Sequence, residues 1–291
     1  MRKLAFGLVL FAACGVALAW ILTAPKFENP DDYVNLVANA DAGEQIFHAS
    51  GCASCHAAAD ATPEAKLILT GGVHFNTDFG TFIAPNISPS SQGIADWDVV
   101  TFATALMKGT SPSGKHYYPA FPYTSYQNMA PQDIVDLFAF MQTLPKSDVP
   151  SAPHGVSFPF NIRRSLGGWK LLFMRSDYVT PQTDDPVLQK GQYLVEALGH
   201  CGECHTARNA LGGPKRSAWL KGGPNPDGRG TIPDITPAGL GWAAAEIVEY
   251  LQTGFTPDFD VVGGSMVSVQ ENMALLPDSD LEAIAAYLLS L

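Results

Sequence analysis

Lysine and arginine are missing from the end of this chain: residues 231–291 hold nine Asp or Glu and no base. Residues 27–145 are nearly as poor, with three bases against 12 acids, and the formal net charge is −11. Such a chain is a poor partner for nucleic acid, because neutralising phosphates with Lys and Arg dominates that affinity. An acidic surface suits electrostatic steering toward a basic partner instead. Runs of alternating β-branched residues long enough to build a sheet are also absent, so the expected class is all-α. Cysteine is scarce as well. Of five, four fall in two short elements and only Cys14 is left over. No disulfide can form without dismantling one of those elements.

The elements are Cys52-Ala53-Ser54-Cys55-His56 and, 149 residues later, Cys201-Gly202-Glu203-Cys204-His205. C-x-x-C-H is the attachment pattern of a c-type haem, in which two thiols form thioethers to the porphyrin and the histidine takes one axial position on iron. A zinc ribbon would place its second cysteine pair about 15 to 20 residues away, and a thioredoxin-type pair needs a βαβ setting. Neither condition holds here. The expected cofactors are two covalently bound haem c, held by Cys52, Cys55, Cys201 and Cys204, with His56 and His205 as axial ligands.

Arg2 and Lys3 precede Leu4–Leu22, 19 residues without charge or proline. At about 1.5 Å per residue this nearly spans a hydrocarbon core of roughly 30 Å. Cleavage after Ala17-Leu18-Ala19, or lipoprotein processing at Cys14, would remove it. Because apolar Trp20, Ile21 and Leu22 continue past both cuts, the expectation is an uncleaved transmembrane helix in the bacterial inner membrane. The basic pair then places everything after Pro25 in the periplasm.

Beyond this helix the chain repeats itself. Gly43-Glu44-Gln45-Ile46 leads to the first element as Gly191-Gln192-Tyr193-Leu194 leads to the second. Ala84-Pro85-Asn86-Ile87-Ser88-Pro89 is matched by Ile232-Pro233-Asp234-Ile235-Thr236-Pro237. Trp97 and Trp242 each stand 12 residues ahead of a glycine, Gly109 or Gly254, with a helical stripe between. Helices opened by Pro131 and Pro277 follow. Landmarks at constant offset mean duplicated domains. The expected division is an anchor over 1–26, domains over 27–145 and 187–291, and an ordered, aromatic connector over 146–186. In that connector Arg163 and Arg164 are candidate partners for haem propionates.

Tyr118-Pro119-Ala120-Phe121-Pro122-Tyr123-Thr124-Ser125-Tyr126, then Met129, the Phe158–Phe173 connector and Tyr193-Leu194-Val195-Glu196 before Gly199-His200-Cys201 resemble the multihaem cytochrome c subunits of bacterial membrane-associated alcohol and gluconate dehydrogenases. The resemblance runs from about residue 40 to the C-terminus. It implies tandem class I cytochrome c-like domains, although members of that family commonly carry three and this chain has two. It also implies a periplasmic or membrane-associated dehydrogenase as electron donor, with an oxidase, a quinone or a soluble cytochrome as acceptor.

Electron-carrying c haems usually have methionine opposite the histidine. Met107, Met141 and Met174 lie in apolar or helical runs and read as packing. Met129 stands in the loop before the last helix of the first domain, where such folds present the distal ligand, and is assigned to the first haem. In the second domain the resemblance favours Met266 after Gly263-Gly264-Ser265. Symmetry favours Met273, whose Asn272-Met273-Ala274 echoes Asn128-Met129-Ala130. Met266 is the expectation. With a methionine for each iron and no free periplasmic cysteine, an electron carrier is expected ahead of a dihaem peroxidase or a thiosulfate-oxidising cytochrome.

Overall fold

The computed structural model describes residues 2–226, 228 and 230–291. Helix α1 (Arg2–Leu22) is apolar throughout and none of it is buried by the rest of the chain. It is long and apolar enough to cross a membrane. Its end is fastened to the body: the Arg164 guanidinium lies 4.2 Å from the centre of the Trp20 ring and donates to the Trp20 carbonyl. Just beyond the helix, the His116 ring bonds through Nε2 to the Thr23 carbonyl at 3.0 Å.

The first repeat contains α2 (Ala40–Ala49), α3 (Cys52–His56), the antiparallel strands β1 (His74–Thr77) and β2 (Gly80–Ile83), α4 (Val99–Lys108), α5 (Tyr123–Tyr126) and α6 (Pro131–Met141). Helix α7 (Leu166–Phe173) follows. The second repeat contains α8 (Pro186–Gln192), α9 (Gly202–His205), β3 (Gly223–Pro224), β4 (Thr231–Ile232), α10 (Pro237–Leu240), α11 (Ala244–Thr253), α12 (Met266–Met273) and α13 (Asp278–Leu289). The fold is mostly helical. The two short hairpins correct the expectation of no sheet at all, since strands of four and two residues are too short to leave an alternating pattern.

Local chemistry starts and stops these helices. Asn39, Asp98 and Asp185 cap α2, α4 and α8 by accepting backbone N–H bonds, while Gly109 and Gly254 end α4 and α11 in the left-handed conformation at φ 57° and 79°. The core is built where the first helix of each repeat crosses the last. A β-carbon on Gly43 would stand 2.0 Å from the Asp136 carbonyl oxygen, and one on Gly191 would stand 2.0 Å from that of Ala283. Ile134 and Leu137 of α6, and Leu281 and Ile284 of α13, are buried at these crossings.

The crossings also expose one difference between the repeats. Gly43 precedes Cys52 by nine residues, whereas Gly191 precedes Cys201 by ten. The extra residue is taken up by a π-helical turn over Tyr193–Leu198, so that the attachment element arrives in the same place. Inside that turn Glu196 is 3% exposed, and its carboxylate accepts from the Tyr287 hydroxyl at 2.6 Å, Thr180 Oγ1 at 3.0 Å and Gln192 Nε2 at 3.1 Å. A buried carboxylate satisfied this way holds α8, α13 and the incoming Thr180 together.

Candidate haem sites

Each attachment element is one turn of helix entered through a left-handed residue, Gly51 at φ 58° in the first and His200 at φ 40° in the second. The turn brings the two thiols and the imidazole of each element to one end of its repeat. His56 Nδ1 meets the Pro85 carbonyl at 2.8 Å, and His205 Nδ1 meets the Pro233 carbonyl at 2.8 Å. A carbonyl only accepts, so Nδ1 carries the proton and Nε2 keeps the free lone pair for a metal. Burial lowers the pKa of both imidazoles, which favours this neutral, ligating form.

The loop behind each histidine closes identically. Gly71 N–H donates to the His56 carbonyl and Gly222 N–H to the His205 carbonyl, both at 2.7 Å, with φ at 77° and 69°. A β-carbon on either glycine would stand about 2.5 Å or less from the backbone of the Pro85 or Pro233 loop. In the second element Gly202 is held against the Trp219 ring, whose nearest carbon would lie 2.0 Å from a β-carbon. Two thiols, a tautomerically fixed imidazole and a loop locked behind it form the donor set of a covalently attached haem, so the residues fit the group.

The two elements face each other across the domain boundary. The Cys55 thiol is raised to about 11, first by desolvation and then by Cys204 of the other repeat. Ser54 donates to the Ser268 carbonyl at 3.0 Å and accepts from Asn272 Nδ2 at 2.9 Å, while its counterpart Glu203 accepts from Thr124 Oγ1 at 2.5 Å. The interface therefore uses the third residue of each C-x-x-C-H element, which the cofactor chemistry leaves free. His200 packs edge-on to Tyr126 at 5.5 Å, and Arg208 pairs with Glu203.

Arg163 and Arg164 both engage protein groups. Arg163 donates to the His116 carbonyl at 2.8 Å and lies 4.1 Å from the Tyr118 ring centre, and Arg164 holds Trp20.

For the methionines, the structure corrects the symmetry argument. Met129 N–H bonds to the Tyr126 carbonyl and Asn128 N–H to that of Ser125; in the second repeat Leu276 N–H bonds to Met273 and Leu275 N–H to Asn272. Met129 thus corresponds to Leu276, and Met273 to Tyr126. The Asn-Met-Ala echo is out of register by three residues, because Met273 is the last residue of α12 whereas Met129 lies three residues past the end of α5. Met129 and Met273 are both core residues, 3% and 5% exposed. Met266 opens α12 and is partly exposed beside the core.

Comparison with known proteins agrees with this duplicated geometry. The cytochrome c family model matches twice, over residues 40–145 and 188–291. A protein described as "Diheme cytochrome c-type" from Cereibacter sphaeroides is 54% identical over 288 residues, covering 99% of this chain and 97% of its own length. The fructose dehydrogenase cytochrome subunit from Gluconobacter japonicus is 36% identical over 85% of this chain and 51% of its own. The cytochrome c subunit of a quinone-type alcohol dehydrogenase from Gluconobacter oxydans is 33% identical over 86% of this chain and 54% of its own. The chain spans about half the length of those two dehydrogenase subunits. With both repeats matched by the same family model and each carrying an attachment element, the chain belongs to the cytochrome c family as a tandem of two domains with two covalently bound haem c.

Proposed function

We propose that this chain is a membrane-anchored relay that takes electrons from a periplasmic dehydrogenase and passes them through two adjacent haems to a respiratory acceptor: an oxidase, a quinone or a soluble cytochrome. Cys52, Cys55 and His56 hold the first haem. Cys201, Cys204, His205 and Met266 hold the second. The observation that carries this reading is the apposition of the two attachment elements, with Ser54 of the first bonded into α12 and Glu203 of the second bonded to Thr124 of the first domain. The haems supply one-electron chemistry; the chain orients them and fixes the ligating nitrogen of each histidine.

The division into an anchor at 1–26, domains at 27–145 and 187–291 and an ordered connector at 146–186 belongs to the same proposal. The connector's role is to seat the domains on the membrane. It grips the end of α1 through Arg164, and Phe158, Leu171 and Leu172 beside it are 77%, 54% and 64% exposed. Arg2 and Lys3 favour a cytoplasmic N-terminus. The dehydrogenase donor is suggested by the relatives described as dehydrogenase cytochrome subunits. The purified chain should carry two haem c by pyridine haemochromogen, undergo reversible one-electron reduction at each, and be reduced in membranes by a dehydrogenase substrate. Sustained peroxide or thiosulfate turnover by the isolated chain would sink the carrier reading.

A further inference from the structure

The two domains share a backbone lock that sets what faces each haem opposite its histidine. In the first, the Gly109 carbonyl accepts from Tyr117 N–H at 2.7 Å; in the second, the Gly254 carbonyl accepts from Val262 N–H at 2.7 Å. Bridges between Thr110 and His116, and between Phe255 and Val261, lie one residue inside each lock. The loops so closed have the same length. Downstream, the paired turns at Met129 and Leu276 bring the repeats back into register before α6 and α13.

Between these two fixed points the segments can be compared without sequence similarity. The second domain supplies Met266 and Met273 between Val262 and Leu275; the first supplies no methionine, histidine or cysteine between Tyr117 and Asn128. Counted from the lock, the fourth residue is Met266 in one and Phe121 in the other. Both are partly exposed and both pack against the core. Phe121 is held by three rings, Tyr117 at 5.8 Å, Tyr123 at 6.3 Å and Tyr126 at 5.9 Å. Two of the segment's hydroxyls are already engaged, Tyr118 with the Phe160 carbonyl and Tyr126 with that of Ser50.

Met129 does not repair the loss. It fills the core position that Leu276, which has no donor atom, fills in the second domain, and the two are 3% and 6% exposed. A sixth ligand must present its sulfur to the haem face, and the Met129 position is one that pure packing explains. Nor does His116 stand at the position Met266 takes: it lies immediately before the lock, where the second domain has Val261, is 3% exposed and bonds through Nε2 to the Thr23 carbonyl.

We propose that the first haem has no protein ligand opposite His56, that Phe121 covers that face, and that its iron is a binding site for small π-acceptor diatomics of the carbon monoxide class. The second haem keeps Met266. The two irons are then chemically unlike: one six-coordinate and closed, the other five-coordinate beneath an apolar ring. This inference rests on both domains carrying haem, which the haem count tests separately.

The experiment uses the full-length holoprotein in detergent, with two haems per chain established first by pyridine haemochromogen; a lower count refutes the dihaem reading instead. The methionine-to-iron charge-transfer band of the oxidised protein should have the intensity of one methionine-ligated haem per chain. Met266→Ala should abolish it, Met129→Leu should leave it unchanged, and Phe121→Met should double it. The reduced protein should take up one carbon monoxide per two haems, and Phe121→Met should lose that uptake. A wild-type band of twice the expected intensity, a halved band in Met129→Leu, or a reduced protein that takes up no carbon monoxide would each overturn the proposal.

Discussion

Gly191→Ala adds a single methyl group at the crossing of α8 and α13. That carbon would stand 2.0 Å from the Ala283 carbonyl oxygen and 2.6 Å from Tyr287 Cβ, where 3.4 Å or more is ordinary contact. Neither neighbour is the flexible end of a side chain, so the helices must part by about 1.4 Å. Overpacking of this kind costs about 1–3 kcal/mol. Moving α13 also draws the Tyr287 hydroxyl from Glu196, now 2.6 Å away, which adds about 1 kcal/mol. For two domains that melt together about 1 kcal/mol shifts Tm by roughly 2–4 °C, so a fall of about 5 °C or more is expected in calorimetry of the holoprotein. Gly168→Ala, in α7, is the control. Nothing lies within 4 Å of its β-carbon position, so better helix propensity should leave Tm level or slightly raised. A Gly191→Ala protein melting with wild type, haem content intact, would refute the close crossing.

Three further outcomes are expected. Burial pushes Lys170 down to about 7 in the folded chain, against about 10.4 for an unfolded lysine. Both states are charged below pH 7 and the burial penalty is complete; between pH 7 and 10 the unfolded chain binds the extra proton, so wild type should gain stability relative to Lys170→Met, and a pH-independent difference in denaturant midpoint rejects this. Ser54→Ala combined with Thr124→Val removes side-chain bonds from both halves of the domain interface and should split one calorimetric transition into two; a single unchanged transition would show that these bonds do not couple the domains. Binding to a basic donor or acceptor should weaken several-fold as salt rises from low to physiological, because residues 231–291 hold nine acids and no base; salt-indifferent binding, by sedimentation in detergent, counts against steering.

What could be read from the sequence was whatever repeats at short range. The stripes of α4, α6, α11 and α13 and the glycines that end α4 and α11 follow from helical periodicity and left-handed caps, and both attachment elements are local patterns. What could not be read is relational. Nothing in the residue types shows that the Pro85 carbonyl, 29 positions away, fixes the tautomer of His56, or that Ser54 and Asn272, 218 positions apart, share a bond. The echo that favoured the alternative Met273 is a coincidence of letters. Asn128-Met129-Ala130 and Asn272-Met273-Ala274 match letter for letter, yet one follows the end of its helix and the other closes it, and backbone turns, which are blind to side chains, pair Met129 with Leu276. Arg163 and Arg164 were similarly open: an arginine announces that it will find an acceptor or a ring, without naming which.

The bond between Ser54 and α12 also imposes an order on how the molecule is made. Thioether formation needs access to Cys52 and Cys55, and Ser54 between them is covered by Ser268 and Asn272, which leave the ribosome more than 200 residues later. That contact between the domains can therefore form only after most of the second domain has been made.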